Sequence, residues 1–474
     1  MKRNLFTLNP HLINRYLLKN TTLTERFKKI SKLVSNQENN EPCKKLYNKN
    51  FFKIMNNGSF LPAGNTLVAT EKSIYPNCAI YGDIHENNID KKRLTNLWSN
   101  SIGLGFQFDK CKNPINVLKK LSEINSKIDL LHRPQRGNFG TLSWNHPCIK
   151  EFINCKNDNP DSIYNFNISV TLDKDFWINY NNKDNNALKI MNLISEGIYN
   201  TGDPGLLFID NIHKNIPFIN KNIEPPLGEL NTLVPCGEQT MYSNETCNLG
   251  SINLNSPYFD SANANSDEII NFKNFKHVIY NSVRFLDNVV DILEIPDKQM
   301  DKRTKQIRRI GLGVSGFADL LIKKNIKYGS DESYEYAEKI SGILSRESEL
   351  YNELLAFEKG PNELLNNKRN HTITCLPPTG GISLLWGNQG FSIEPSFEDA
   401  VKIDYKDHIK MVKIWQNNID NSISKTINIK NNFDIKLIPE IIVNAYQNNL
   451  KCVTIYRDKS RENQPMNKIV CETC

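Results

Sequence analysis

The sequence predicts an α/β fold built on a mostly parallel sheet with crossover helices. Three observations predict it. Short β-like runs alternate with helical stretches from about residue 60 to 260. The apolar runs "TITCLPPTGGISLLW" (372–386) and "CVTIYR" (452–457) repeat that pattern later. No internal repeat of fixed period points instead to a solenoid or propeller. At 474 residues the chain can form one large α/β domain or two to three ordinary ones.

The elements follow in order. Residues 10–36 read as helical, because "HLINRYLL" and "RFKKISKLV" space their apolar residues three and four apart. Residues 41–57 continue this opening helical region. "NFNISVTL" (165–172) alternates as a strand does, and "KIMNLISEGIYN" (189–200) has helical periodicity. "PGLLFID" (204–210) is an apolar strand after a turn, and "CNLGSINL" (247–254) is another strand. "FKHVIYNSVRFLDNVVDI" (275–292) is a long amphipathic helix. After Arg461 the composition turns polar, as in a mobile tail.

Composition excludes several classes. The net charge is +7, but its lysines are spread along the chain, so no basic arm for nucleic acid is expected. A mildly basic balance also suits anionic small ligands. The first twenty residues lack the apolar core of a signal peptide, and no run approaches the roughly 18 apolar residues that span a bilayer. The eleven cysteines are an odd, scattered set. A cytosolic chain with reduced thiols is expected, its cysteines serving the core, a metal or catalysis. The Asn- and Lys-rich patches 35–42, 179–186 and 430–433 read as solvated loops.

Four motifs carry possible chemistry. "GLGVSG" (311–316) matches a dinucleotide loop in form only; no strand with a following acidic residue completes the unit, and a glycine-rich start to the "FADLLIKK" helix is expected. "DIHENN" (83–88) half-matches a histidine signature for cobalamin, but Asn88 stands where glycine is needed, so a surface loop is expected. The terminal "CETC" is half of a tetrahedral zinc site at most and reads better as a redox dithiol, Cys471 and Cys474. In "PCGEQTMYSNETC" (235–247), an extended loop would put Cys236 and Glu238 on one face. A neighbouring carboxylate raises a thiol pKa, and no local histidine offers a base, so a thiolate nucleophile is disfavoured. A thiol that loses a hydrogen atom needs no thiolate, and the carboxylate can then take a substrate hydroxyl proton.

"PCGEQTMYSNETCNLGSINL" (235–254) resembles the active-site loop and following strand of the large subunit of ribonucleotide reductases. "FLPAGNTL" (60–67), "PNCAIY" (76–81), "RPQRGNFGTLSWNHPCIKEFI" (133–153), "NFNISV" (165–170), "TGDPGLLFID" (201–210), "RRIGLGVSGFADLL" (308–321), "PPTGGIS" (377–383) and "SIEPSF" (392–397) resemble further family segments, in the family's order. "HIKMVKIWQNNIDNSISKTIN" (408–428) and "CVTIYRDKSREN" (452–463) are most similar to class II, the adenosylcobalamin-dependent enzymes. Class I chains carry two adjacent tyrosines near the C-terminus; here Ile455 precedes Tyr456. The glycyl-radical signature of class III is absent.

The resemblance implies a ten-stranded α/β barrel of two half-barrels (58–461), after a helical region (1–57) and before a redox-active tail (462–474). It implies Cys236 at the tip of a central loop, becoming a thiyl radical that takes the ribose 3′ hydrogen while Glu238 accepts the 3′-hydroxyl proton. Cys78 and Cys247 would reduce the intermediate and form a disulfide. Cys471 and Cys474 would exchange with that disulfide, since thirteen residues reach at most about 45 Å. A thioredoxin- or glutaredoxin-type protein would then reduce the tail. Thr379, Gly380, Gly381 and Ser383, with Asn65 and Thr66 from the other half, would bind the substrate phosphates. A monomer or homodimer is expected, with no nucleic acid or membrane partner.

The sequence departs from the family pattern at several places. Val234 stands where an asparagine usually holds the substrate hydroxyls, and valine makes no such hydrogen bond; Asn231 is the nearby amide. Gly381 stands where threonine is common. No ATP-binding cone is expected before the barrel. A glycine-rich insertion between "GFQFDKC" (105–111) and "RPQRG" is missing, as is a segment between "EPSF" and "DHIKM". These gaps weaken the expectation of deoxynucleotide effectors and of the usual helical dimer interface. Two other readings stay open: a class I-type subunit needing a radical-generating partner, and a degenerate homologue that binds nucleotides or a partner.

Overall fold

The computed structural model describes residues 21–69, 73–128, 137–157, 163–214, 230, 232–260, 268–362, 364–365 and 367–461. Asn231, Cys471 and Cys474 lie outside them, as do the tail and the first part of the opening helical region.

The opening region is helical where described. Helix Leu23–Ser35 begins with a capping box, in which Thr22 and Glu25 each satisfy the other's backbone N–H. Helix Glu41–Asn56 follows, capped by Asn40 with proline in its first turn. Both pack on the long helix Phe272–Ile292, which also meets helix Asp331–Lys359. Arg284 of the long helix reaches back to Glu38 through two hydrogen bonds of 2.9 and 2.7 Å, which fixes the opening helices on the body.

Eleven strands follow in chain order: β1 (Phe60–Pro62), β2 (Cys78–Asp83), β3 (Gly103–Gln107), β4 (Asn138–Ser143), β5 (Phe166–Leu172), β6 (Gly205–Phe208), β7 (Thr246–Cys247), β8 (Leu249–Asn253), β9 (Gly311–Ser315), β10 (Thr426–Ile429) and β11 (Cys452–Arg457). Strands β2 to β6 form one parallel set. At β6 the direction reverses, because β11 pairs antiparallel, and β10 lies parallel beside β11. At the other edge β2 pairs antiparallel with β7. Only Asn248 separates β7 from β8, which runs parallel to β9 and antiparallel to β1.

Continuous ladders therefore make two sheets, of eight and three strands, rather than one ring of ten. Between β9 and β10 the path runs through single bridges. Leu312 bridges Thr374 and Leu376 bridges Ile423, both parallel, three residues before β10 begins. Two five-membered parallel halves, opposed to each other, thus face a common interior. The barrel is not closed by regular ladders because residues 372–376 and 421–424 are each too short to count as strands.

Two sequence expectations are refined. β5 is buried at all but one position, although its sequence alternates; a parallel sheet with helices outside and a filled interior covers both faces. The "GLGVSG" stretch is strand β9, not the start of a helix; Gly316 ends it and caps helix Phe317–Lys323. Its glycines answer close packing. A Cβ on Gly313 would lie 2.4 Å from the Cys375 carbonyl oxygen and 2.7 Å from Pro377 Cδ. "DIHENN" is an exposed turn held by Asn88, which bonds the His85 N–H and the Asp83 carbonyl.

Candidate active site

A hairpin-like loop enters the interior between β6 and β7. Leu233 bridges Thr240, and Val234 N–H bonds the Gln239 carbonyl at 3.0 Å. Inside this frame Gly237 N–H returns to the Val234 carbonyl at 2.9 Å, so Cys236 sits at the tip of a tight turn. Gly237 has φ +83°, a conformation that glycine alone adopts at no steric cost. The expected extended backbone is therefore a turn, yet Cys236 and Glu238 still open on one cavity.

The barrel wall grips this loop from several strands. Asn167 of β5 donates to the Pro235 carbonyl at 3.1 Å. Ser422 N–H donates to the Glu238 carbonyl at 3.1 Å, and Asn421 accepts the Thr240 N–H at 2.7 Å. Gln239 donates to the Ile310 carbonyl at 3.3 Å, beside β9. A Cβ on Gly105 of β3 would meet the Leu233 carbonyl oxygen at 2.4 Å. Contacts from both halves hold the tip in place.

The cavity has about 680 Å³ of empty volume and is lined by Cys78, Cys236, Glu238, Ser251, Asn77, Ala63–Gly64 and the 377–382 loop, among others. Cys78 and Cys247 are directly opposed across β2 and β7, and the Cys247 thiol hydrogen-bonds Cys78. Opposed antiparallel residues have Cα atoms about 4.5–5.5 Å apart, within the disulfide window of about 4.4–6.8 Å. Both are thiols here, as are all described cysteines. The bond to Cys78 lowers the Cys247 pKa, but burial, Glu238 and Cys375 outweigh it and leave it raised. Cys236 is half-exposed while Cys78 and Cys247 are buried.

Glu238 is 2% exposed, and its Oε2 has no hydrogen-bond partner. Burial pushes its carboxyl up to about 7, against a smaller lowering by its own backbone N–H. A carboxyl poised there can accept a proton near neutral pH. Val234 is fully buried among Cys78, Ile80, Met241, Cys247, Leu249 and Cys375.

Over residues 178–372 and 391–456, just over half the chain, the sequence matches the family described as ribonucleotide reductase, barrel domain. The chain belongs to the ribonucleotide reductase family. A vitamin B12-dependent ribonucleoside-diphosphate reductase of Thermoplasma acidophilum is 28% identical over 90% of this chain and 67% of its own length. One from Mycobacterium tuberculosis is 24% identical over 74% of this chain and 60% of its own. The chain thus spans about two thirds or less of these reductases. The Actinobacillus ureae class Id ribonucleotide reductase alpha subunit superposes with a TM-score of 0.80 at 17% identity, covering 95% of this chain and 97% of that one. That likeness supports the α/β barrel of the reductase fold.

The expected site residues separate into two groups. Cys78, Cys236, Glu238, Thr379, Gly380 and Gly381 line the cavity, and Cys247 stands behind Cys78. Asn65, Thr66 and Ser383 are buried outside the lining. The Asn65 amide bonds the Pro76 and Ser101 carbonyls, so it braces the segment before Cys78. Ser383 bonds Ser315 and Thr379. Sequence reasoning missed Ser251 and Asn77. The period-two face of "NLGSINL", which aligns Leu249 with Ser251, is the signal that could have found the serine.

Among the described residues, no helix is long and apolar enough to cross a membrane, and no group of three or more His, Cys, Asp or Glu side chains is placed to hold a metal.

Proposed function

We propose that this reductase-family chain converts ribonucleotides, as diphosphates, to 2′-deoxyribonucleotides by thiyl-radical chemistry with adenosylcobalamin. The observation that carries the reading is one cavity lined by Cys236, a near-neutral Glu238 and Cys78, with Cys247 paired directly behind Cys78. The cofactor assignment rests on the vitamin B12-dependent relatives and on Tyr456. That tyrosine packs edge-on to Phe397 at 6.1 Å and follows a buried Ile455, so no tyrosine pair is available for a radical relay.

The donor set suits such a cofactor. Cys236 is the catalytic thiol open to the cavity, with Pro235 and Gly137 lining the same wall. These residues would face the cofactor; when bound, it supplies a homolytic oxidant that leaves a thiyl radical at Cys236. Cys236 then takes the ribose 3′ hydrogen and Glu238 takes the 3′-hydroxyl proton. The 2′-hydroxyl leaves as water with a proton from the Cys78–Cys247 pair. The pair gives up two electrons in all and closes to a disulfide, and Cys236 returns the hydrogen to C3′. Cys471 and Cys474 reopen that disulfide by exchange, and a thioredoxin- or glutaredoxin-type dithiol in the cytosol reduces them in turn.

The test is an anaerobic assay with CDP and CTP, dithiothreitol, and adenosylcobalamin added or withheld. Deoxycytidine diphosphate formed only with the cofactor is the expected result. No product, where a known class II enzyme works, would overturn the reading.

A further inference from the structure

We infer that Ser251 supplies the side-chain hydroxyl that binds the phosphate end of the substrate, an inference that rests on the nucleotide reading above. Ser251 lines the cavity from β8 and is fully buried. Of the buried side-chain nitrogens and oxygens in the described cavity wall, two have no hydrogen-bond partner: Glu238 Oε2 and Ser251 Oγ. A serine in a helix can return its hydroxyl to the carbonyl one turn back, but a strand offers no such partner. A buried hydroxyl left without a partner carries a desolvation penalty, which a ligand acceptor would recover.

Position selects which part of the ligand Ser251 meets. It lies four residues beyond Cys247 in the chain, at most about 13 Å at about 3.3 Å each, and on β8 rather than on β7, which carries the thiol pair. Ser251 pairs on one side with Leu61, whose strand runs on to Ala63 and Gly64 in the cavity wall. On the other side it pairs with Gly313, which abuts Pro377 at the start of the 377–382 loop. Ser251 thus sits between the two segments that close this end of the cavity.

The other hydroxyls there are committed. Thr379 Oγ1 accepts the Ser392 N–H at 2.7 Å, bonds Ser383 Oγ at 2.8 Å and donates to Ser315 Oγ at 3.2 Å. Gly381 has no side chain to offer. A substrate phosphate against the 377–382 segment therefore finds its side-chain donor in Ser251.

The test is binding of CDP and of cytidine to the purified full chain, with and without Ser251→Ala, plus steady-state kinetics. Ser251→Ala is expected to weaken CDP about tenfold, the size of one hydrogen bond to a charged group, and to leave cytidine within about twofold. In turnover KM for CDP rises with kcat retained, and Ser251→Thr restores affinity. Unchanged CDP affinity, parallel weakening of CDP and cytidine, or a fall in kcat at constant KM would each overturn the assignment. Parent protein that binds neither CDP nor CTP would overturn the nucleotide reading itself.

Discussion

Glu238→Gln should make the protein more stable at pH 8 and leave it unchanged near pH 5. The carboxyl is buried and titrates at about 7, against an ordinary 4.5. Between those values the folded chain keeps a proton that the unfolded chain gives up. Unfolding then releases a proton, so stability falls as pH rises, by about 1.4 kcal/mol per pH unit. Over this window the loss is about 3 kcal/mol; it is absent below the unfolded value and complete above the folded one. Glutamine has nearly the same shape and does not titrate, so the variant lacks this slope. Lys451, pushed down to about 8 by burial, contributes a slope of opposite sign only at higher pH. Urea unfolding of parent and variant at pH 5 and pH 8 reads the difference directly. Equal differences at both pH values would refute the argument that burial holds Glu238 near neutrality.

Three further outcomes follow from the same geometry. The pH–rate profile of the active enzyme should show an acid limb near pH 7, since Glu238 must be ionised to accept a proton; a limb near 4.5 would remove it as the base. Val234→Asn should destabilise by about 1–3 kcal/mol without raising turnover, because its amide would be buried among Cys247, Leu249 and Cys375; denaturation and the CDP assay check both halves. Gly313→Ala should cost about 1–3 kcal/mol in denaturation, because the new methyl meets the Cys375 carbonyl at 2.4 Å, with backbone on that side.

Much of the site was legible in the chain. Cys236 and Glu238 two residues apart, with no local histidine, already argued against a thiolate nucleophile. The structure agrees in placing Cys236 and Glu238 on one cavity, but through a turn that only Gly237 permits. Phosphate-loop residues were harder to rank. Asn65 and Ser383 look like ligands in sequence because amides and hydroxyls bind phosphate. In the fold their hydrogen bonds go to Pro76, Ser101, Ser315 and Thr379. A side chain's type limits what it can bond, but only its neighbours decide whether that capacity is already used.

By itself the sequence determined the alternation of strands and helices, the long amphipathic helix over 275–292 and the residue types of the central loop. These depend on local periodicity and on residue types, which are written along the chain. Tertiary structure alone decided that β6 meets β11 and β2 meets β7 antiparallel, opposing the two halves. It decided that "GLGVSG" is a strand, because Cys375 and Pro377 come within contact of its missing side chains. It also set the Glu238 carboxyl near 7 and left Ser251 without a partner, since desolvation and hydrogen-bond satisfaction depend on residues brought together from distant parts of the chain.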